Sequence, residues 1–499
     1  MANYILSFDQ GTSSSRAVLI DAHGKKVYAS QYEFPQIYME AGWVEHDPMA
    51  ILSTQLSAAK DCLHYLAAHG GSVSEIAAIG ITNQRETTVI WDRHTGKPIY
   101  NAIVWQCRRT SSFCKELEAH GLSDFFQKKT GLLIDPYFSS TKIRWILEHV
   151  PDAREKAQNG ELLFGTIDTW LIWNLTGGRE HATDYSNASR TQLFNIHSLQ
   201  WDREILELLG IPAGLLPEVR DSSGDFGTTC KEILGAEIPI CSCIGDQQAA
   251  LFGQRCFRRG DLKNTYGTGG FLLMNTENTC IQSSRGLLST IAWGIGGKVS
   301  YALEGSVFVS GAVIKWLRDE LGIIQNAQES AALASSVPDN GGVYFVPAFT
   351  GLGTPYWDSE VRGAVFGLTR GAGKAHIVRA ALEAIAYQTA DVIRAMEEET
   401  SCLNRIKTDG GAAQNDFLMQ FQADILNRTL VRPCNVEATA TGAAFLAGLY
   451  AGIWDDVTEL EHLPQESQTF CPEMEEQKRN EFVGGWNKAI AALLGKSPF

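Results

Sequence analysis

The chain has 499 residues, 44% hydrophobic and 20% charged, with 57 Asp and Glu against 42 Lys and Arg for a formal net charge of −15. That length exceeds what one hydrophobic core usually serves and predicts two large domains, and the acidic balance excludes nucleic acid and anionic membranes, which such a surface repels. No run approaches the roughly 18 apolar residues of a membrane span, and strand-like sequence begins at Tyr4 without a basic leader, so a cytoplasmic protein with no membrane span is expected.

The first element is an apolar run, Tyr4-Ile5-Leu6-Ser7-Phe8-Asp9-Gln10, a polar turn, Gly11-Thr12-Ser13-Ser14-Ser15, and a second apolar run, Arg16-Ala17-Val18-Leu19-Ile20-Asp21. It reads as a β-hairpin whose tip can hold phosphate. Gly11 permits close backbone approach, while Thr12, Ser13 and Ser14 offer hydroxyl donors beside free amides, which makes the tip an anion-binding concavity. Arg16 can add a two-pronged contact to phosphate oxygens, and Asp9 can hold a divalent metal directly or through water. Alone, the segment is equally an ordinary Ser/Thr-rich turn.

Asp47 to Ala68 carries helical apolar spacing after an Asp-Pro start, and Ile76-Ala77-Ala78-Ile79-Gly80-Ile81-Thr82 is a compact strand. Strand, helix, strand is the grammar of an α/β sheet. Arg85 and Glu86 follow that strand directly, where such sheets position ligand groups, although an adjacent Arg-Glu pair is usually a solvated surface feature. Ala102-Ile103-Val104-Trp105 places a large aromatic in an aliphatic strand, and Tyr137 stands at a Pro turn before a helix; both aromatics are by default core residues.

Ile238 to Gly245 reads as a strand that delivers Asp246 to a ligand-facing edge, ahead of a helix from Gln247 that Asp246 could also cap. The eleven cysteines are scattered and odd in number, which predicts reduced thiols, and Cys241-Ser242-Cys243 lacks further ligands at zinc spacing. The domain boundary is placed at 252/253, giving domains 1–252 and 253–499. Just beyond it Asn264-Thr265-Tyr266-Gly267-Thr268-Gly269-Gly270-Phe271 repeats the hairpin idea with a glycine-rich turn, about half a chain after the first. Two such turns suggest a duplicated architecture closing on a nucleotide from both sides. Ile406-Lys407-Thr408-Asp409-Gly410-Gly411 then reads as a strand and a double-glycine turn before a helix start near Asn415.

These motifs, with Gly165-Thr166-Ile167-Asp168, Gly245-Asp246-Gln247-Gln248, Gly42-Trp43-Val44-Glu45-His46-Asp47-Pro48 and Pro347-Ala348-Phe349-Thr350-Gly351-Leu352-Gly353, stand in one order from Tyr4 to about Tyr450. Together they resemble the FGGY carbohydrate kinase family of the sugar kinase, actin and Hsp70 superfamily, and within it the members acting on glycerol. The resemblance implies an α/β fold of two ribonuclease H-like domains with an interdomain catalytic cleft. It implies ATP-dependent phosphorylation of glycerol to sn-glycerol 3-phosphate in glycerol catabolism, with ATP and Mg²⁺ bound.

Carried over residue by residue, Asp246 is the catalytic base, and Arg85, Glu86, Trp105, Tyr137, Gln247 and Phe271 join it around glycerol. Thr12, Ser13, Ser14, Arg16, Thr268, Gly311, Lys315, Gly411 and Asn415 are nucleotide contacts. Asp9, through water, holds the magnesium, with Asp246 a second candidate ligand. Lys315 stands where many members carry Gln, Cys230 where some carry a phosphorylated His, and residues 228–239 lack the Arg-bearing glycine loop of relatives inhibited by fructose 1,6-bisphosphate. A homo-oligomer, dimer or tetramer, is expected. The alternatives are another FGGY kinase acting on a pentulose or other polyol, which Trp105 and the Arg85-Glu86 segment disfavour, and a nucleotide switch like actin or Hsp70, which has no use for a polyol pocket.

Overall fold

The structure is a computed structural model, and it describes residues 3–358, 360–434 and 437–495. Two mixed sheets organise it. The first has five strands in the order Ile240–Gly245, Ile76–Asn83, Tyr4–Gln10, Ser14–Asp21, Lys26–Glu33. Tyr4–Gln10 runs antiparallel to Ser14–Asp21, forming the expected hairpin, and parallel to Ile76–Asn83. The second sheet has seven strands in the order Leu288–Ile295, Lys298–Val307, Gly270–Glu277, Leu262–Tyr266, Ile406–Asp409, Leu430–Pro433, Ser467–Phe470. Its central strand Leu262–Tyr266 repeats the pairing, antiparallel to Gly270–Glu277 and parallel to Ile406–Asp409.

Burial on both faces explains the near-continuous apolar runs of the central strands, in which Ile5, Leu6 and Phe8 are all buried. One face of the first sheet is covered by helix Pro48–Ala68, whose start is fixed by the Asp47 carboxylate accepting from the Met49 amide at 2.8 Å with proline at the first helical position. The other face is covered by helix Ala438–Ala451, from the far end of the chain: Ser7 Oγ donates to the Ala440 carbonyl and Ser242 Oγ to that of Ala443, each at 2.7 Å. Helix Asp246–Gly253 crosses it at such close range that a Cβ on Gly442 would lie 1.9 Å from the Ala249 carbonyl oxygen. The strands of the first sheet thus all precede Asp246 and those of the second all follow Asp261, but a helix that covers the first sheet comes from the later stretch. In the second half a larger core forms around the long helix Lys374–Thr400.

One element ends earlier than its sequence suggests. The strand read through Trp105 is only Ala102–Ile103, and Trp105 lies in the turn beyond it. All eleven cysteines are free thiols. Cys243 helps satisfy the buried Asp168, which also accepts from Thr166 Oγ1 at 2.5 Å, Thr183 Oγ1 at 2.6 Å and Asn83 Nδ2 at 3.3 Å. Asp168 bolts the end of strand Ile76–Asn83 in place, which is how the Gly165-Thr166-Ile167-Asp168 motif serves the edge described next. Among the described residues no helix is long and apolar enough to cross a membrane.

Candidate active site

Register decides which residues meet. Gln10 pairs with Asn83, and Asn83 with Gly245, so three neighbouring parallel strands end in one row. The residues that follow, Gly11, Gln84 to Glu86, and Asp246, therefore leave the sheet side by side at its carboxyl edge, where open α/β sheets place ligands. The second sheet does the same with Thr265 and Asp409, ahead of the glycine turns at 267–270 and 410–411.

Around Asp246 the side chains are mostly buried. Asp246 is the first residue of helix Asp246–Gly253; its Oδ1 accepts from the Gln247 amide at 2.7 Å, lies 3.3 Å from Arg85 Nε, and its side chain keeps 30% of its surface open. Burial pushes its pKa up while Arg85 and Lys263 pull it back, leaving it raised. Glu86 adopts φ 60°, a left-handed backbone rare outside glycine, which turns consecutive side chains into one site. Its Oε1 accepts from Arg190 Nε at 2.6 Å, and burial raises its pKa against Arg85 and Arg190. Arg85 Nη2 reaches Tyr137 Oη at 3.4 Å. Trp105 meets Tyr137 edge-on at 5.5 Å between ring centroids and Phe271, from the second half, at 6.4 Å. The Trp105 indole Nε1 donates to Thr12 Oγ1 at 3.0 Å, so these aromatics are tied to the turn of the first hairpin.

The first turn is braced by side chains. The Gly11 carbonyl accepts from Gln10 Nε2 at 2.7 Å and Gln84 Nε2 at 3.1 Å, and the Thr12 carbonyl from Gln36 Nε2 at 3.1 Å. His46 Nε2 pairs with Gln36 Oε1 at 2.7 Å and its Nδ1 with Gln84 Nε2 at 3.4 Å, so the Gly42-to-Pro48 motif supports this turn from behind. Ser13 is exposed at the tip, and Ser14 Oγ accepts from Gln31 Nε2 at 2.8 Å. Arg16 is ion-paired with Glu437, which also meets Lys26 Nζ at 3.0 Å, so its guanidinium is anchored to the start of helix Ala438–Ala451. Asp9 lies opposite Arg16; burial, with Asp246 and Glu437 adding and Arg16 opposing, lifts its pKa to about 7. Among the described residues no protein hydrogen bond to its carboxylate is seen, only the charges of Arg16, Asp246 and Glu437 around it. A half-buried carboxylate with no protein donor, near a second one, is a hard-oxygen donor set that suits Mg²⁺.

The second turn is braced by backbone. The Gly311 amide donates to the Gly267 carbonyl at 2.9 Å and the Ser310 amide to that of Thr268 at 2.9 Å, docking the turn on helix Gly311–Asp319. Thr268 is exposed at the tip, as are Lys315 on that helix and Gly411. Asn415 caps helix Asp416–Leu426 through the Leu418 amide at 3.1 Å and donates from Nδ2 to Ser330 Oγ at 3.2 Å.

Three charged residues at this site escape sequence reading. Arg190 and Glu304 are fully buried beside Arg85 and Glu86, and Lys263 Nζ donates to Gln247 Oε1 at 2.5 Å and Thr265 Oγ1 at 3.0 Å. Burial brings the Lys263 pKa down to about 8, against Asp409 and Asp246. The usable signal was a single charge inside an apolar strand, as in Leu262-Lys263-Asn264 and Ala302-Leu303-Glu304-Gly305. Arg190 offered none.

Residues 4–253 match the N-terminal domain, and residues 262–451 the C-terminal domain, of the FGGY family of carbohydrate kinases. The chain belongs to that family. Among relatives of this FGGY protein, Glycerol kinase 2 of Thermotoga maritima is 58% identical, with 99% of each chain covered. The glycerol kinase of Symbiobacterium thermophilum is 59% identical over 99% of this chain and 98% of its own. Among solved structures, Plasmodium falciparum glycerol kinase with ADP superposes with a TM-score of 0.94 at 38% identity, covering 99% of this chain and 98% of that one.

Proposed function

We propose that the chain phosphorylates glycerol with ATP to give sn-glycerol 3-phosphate, by direct in-line transfer with Asp246 as general base. The observation that carries this reading is Asp246 itself: partly open, 3.3 Å from Arg85 Nε, accepting from the Gln247 amide, and standing just past Gly245 at the carboxyl edge of the first sheet. A primary hydroxyl is a poor nucleophile, and a carboxylate accepting its proton as the phosphoryl group arrives supplies about 10²–10⁴ in rate.

Glu86 and Arg85 take glycerol hydroxyls as acceptor and donor, Tyr137 and Gln247 assist, and Trp105 and Phe271 cover the carbon face. Leaving these polar groups unpaired is what rejects analogues that lack a hydroxyl. Thr12, Ser13, Ser14 and Arg16 face one side of the phosphates and Thr268 the other, while Gly311, Lys315, Gly411 and Asn415 lie along the nucleoside. Asp9, with Asp246 beside it, holds Mg²⁺, which when bound supplies charge neutralisation for the transferring group. With Trp105 and Phe271 from different halves closing over the pocket, water is kept from competing with glycerol.

The test is ADP release from MgATP across glycerol, dihydroxyacetone, xylulose, ribulose and erythritol. Glycerol should give the highest kcat/KM, and preference for a pentulose would overturn the substrate assignment. Asp246→Asn should lower kcat by at least about 10² with glycerol binding retained; near-normal turnover would remove Asp246 from the base role.

A further inference from the structure

Behind the pair Arg85 and Glu86 lies a second pair that no direct-contact role accounts for. Glu304, on strand Lys298–Val307 of the second sheet, takes Arg85 in a two-pronged fork, Nη1 to Oε2 at 2.6 Å and Nη2 to Oε1 at 3.0 Å. Arg190, just after the short helix Tyr185–Ser189 of the first half, donates from Nη2 to the same Glu304 Oε1 at 3.0 Å and from Nε to Glu86 Oε1 at 2.6 Å. The four charges sum to zero, and none is more than 2% exposed. Arg190 and Arg85 together outweigh burial and hold the Glu304 carboxyl down to about 2.

Such a cluster is a poor device for stability alone. Desolvating four charges offsets most of their attraction, and a well-packed apolar set of similar volume is often as stable. The cluster also leaves a donor unsatisfied, since Arg190 Nη1 is buried without a hydrogen-bond partner among the described residues. What it does achieve is orientation. The planar fork onto Glu304 fixes the plane of the Arg85 guanidinium, so that Nε is turned to Asp246 and Nη2 to Tyr137. Arg190 occupies Oε1 of Glu86 and so fixes how that carboxylate is turned. Because Glu304 belongs to the other half, the orientation of Arg85 depends on where the second sheet stands.

We propose that Glu304 and Arg190 are positioning residues that set polyol specificity: Glu304 holds Arg85 and Arg190 holds Glu86, so that hydroxyls are recognised only with the two halves in the relation seen here. The proposal rests on the glycerol reading above. Glu304→Gln keeps the volume and one acceptor but removes the charge. It should raise the glycerol KM by roughly 30-fold or more. It should also lower by about tenfold the ratio of kcat/KM for glycerol to that for 1,3-propanediol, which lacks the middle hydroxyl. The MgATP KM should not change.

Arg190→Lys, which keeps the charge but cannot serve both carboxylates with the same fork, should move KM and the ratio the same way by less. If Glu304→Gln does not fold, Arg190→Lys decides by that ratio. Variants that lose thermal stability yet keep the parental glycerol KM and ratio would overturn the proposal, leaving the cluster a structural one. Should the unsubstituted protein prefer another polyol, the glycerol reading falls by itself, and the same ratio measured for that polyol against its deoxy analogue still tests Glu304 and Arg190.

Discussion

The two hairpin turns occupy equivalent places in their sheets and are held there by different means. The tip at Gly11 to Ser14 hangs on side chains: Gln10, Gln84 and Gln36 donate to its carbonyls, Trp105 to its threonine, and His46 orders the glutamines behind it. The tip at Gly267 to Gly270 is held by backbone, packed at Gly269 so closely that only glycine fits. A Cβ on Gly269 would lie 2.7 Å from the Val307 carbonyl oxygen, and one on Gly410, at φ +90°, 2.5 Å from that of Tyr266. One geometry is thus specified by polar partners that can be adjusted one at a time, and the other by close backbone packing at glycines that cannot be traded.

The comparison breaks most sharply at the glycines. Gly269→Ala should cost about 1–3 kcal/mol of stability through overpacking, and displacing the turn should lower kcat/KM for MgATP by about 10². Steady-state kinetics with thermal unfolding checks both, and a variant with parental kinetics would mean the second turn yields as easily as the first.

The next effect belongs to the first turn alone. Burial pushes the His46 pKa from 6.5 down to about 4, so between those pH values the unfolded chain binds a proton that the folded one refuses. Stability should therefore fall as pH drops from about 6.5 to 4, with His46 contributing up to about 3 kcal/mol. His181, also lowered to about 4, acts in the same direction, so His46→Gln should flatten the pH dependence of urea unfolding without abolishing it. An unchanged slope would separate His46 from the bracing. The smallest effect is Gly11→Ala: its Cβ would meet only the Ser14 carbonyl oxygen, at 3.3 Å, and the change should stay within about 1 kcal/mol.

Much of this was legible because chemistry followed apolar strands in the sequence. The hairpins, the strand before Arg85, the strand before Asp246 and the Asp-Pro helix start are local patterns, and local patterns survive in the fold. Trp105 was legible as an aromatic but not as a turn residue, since two aliphatic residues carry a strand pattern further than the ladder extends. Arg190 and Glu304 meet across 114 positions, a partnership that no window of sequence contains. The bracing of the first turn was hidden for a related reason: a glutamine reads as solvent-facing until its carbonyl partner is known.

Helix Ala438–Ala451 has a consequence for how the protein is made. A ribosome releases the strands of the first sheet among the first 245 residues, but the helix that closes their second face is nearly two hundred residues further on. Until then Ala78, Ile5 and Ile244, which end in a shared core with that helix, have no permanent cover. A gene cut at the apparent domain boundary would yield a fragment with that surface open, and the sheet begun first in synthesis is among the last to be finished.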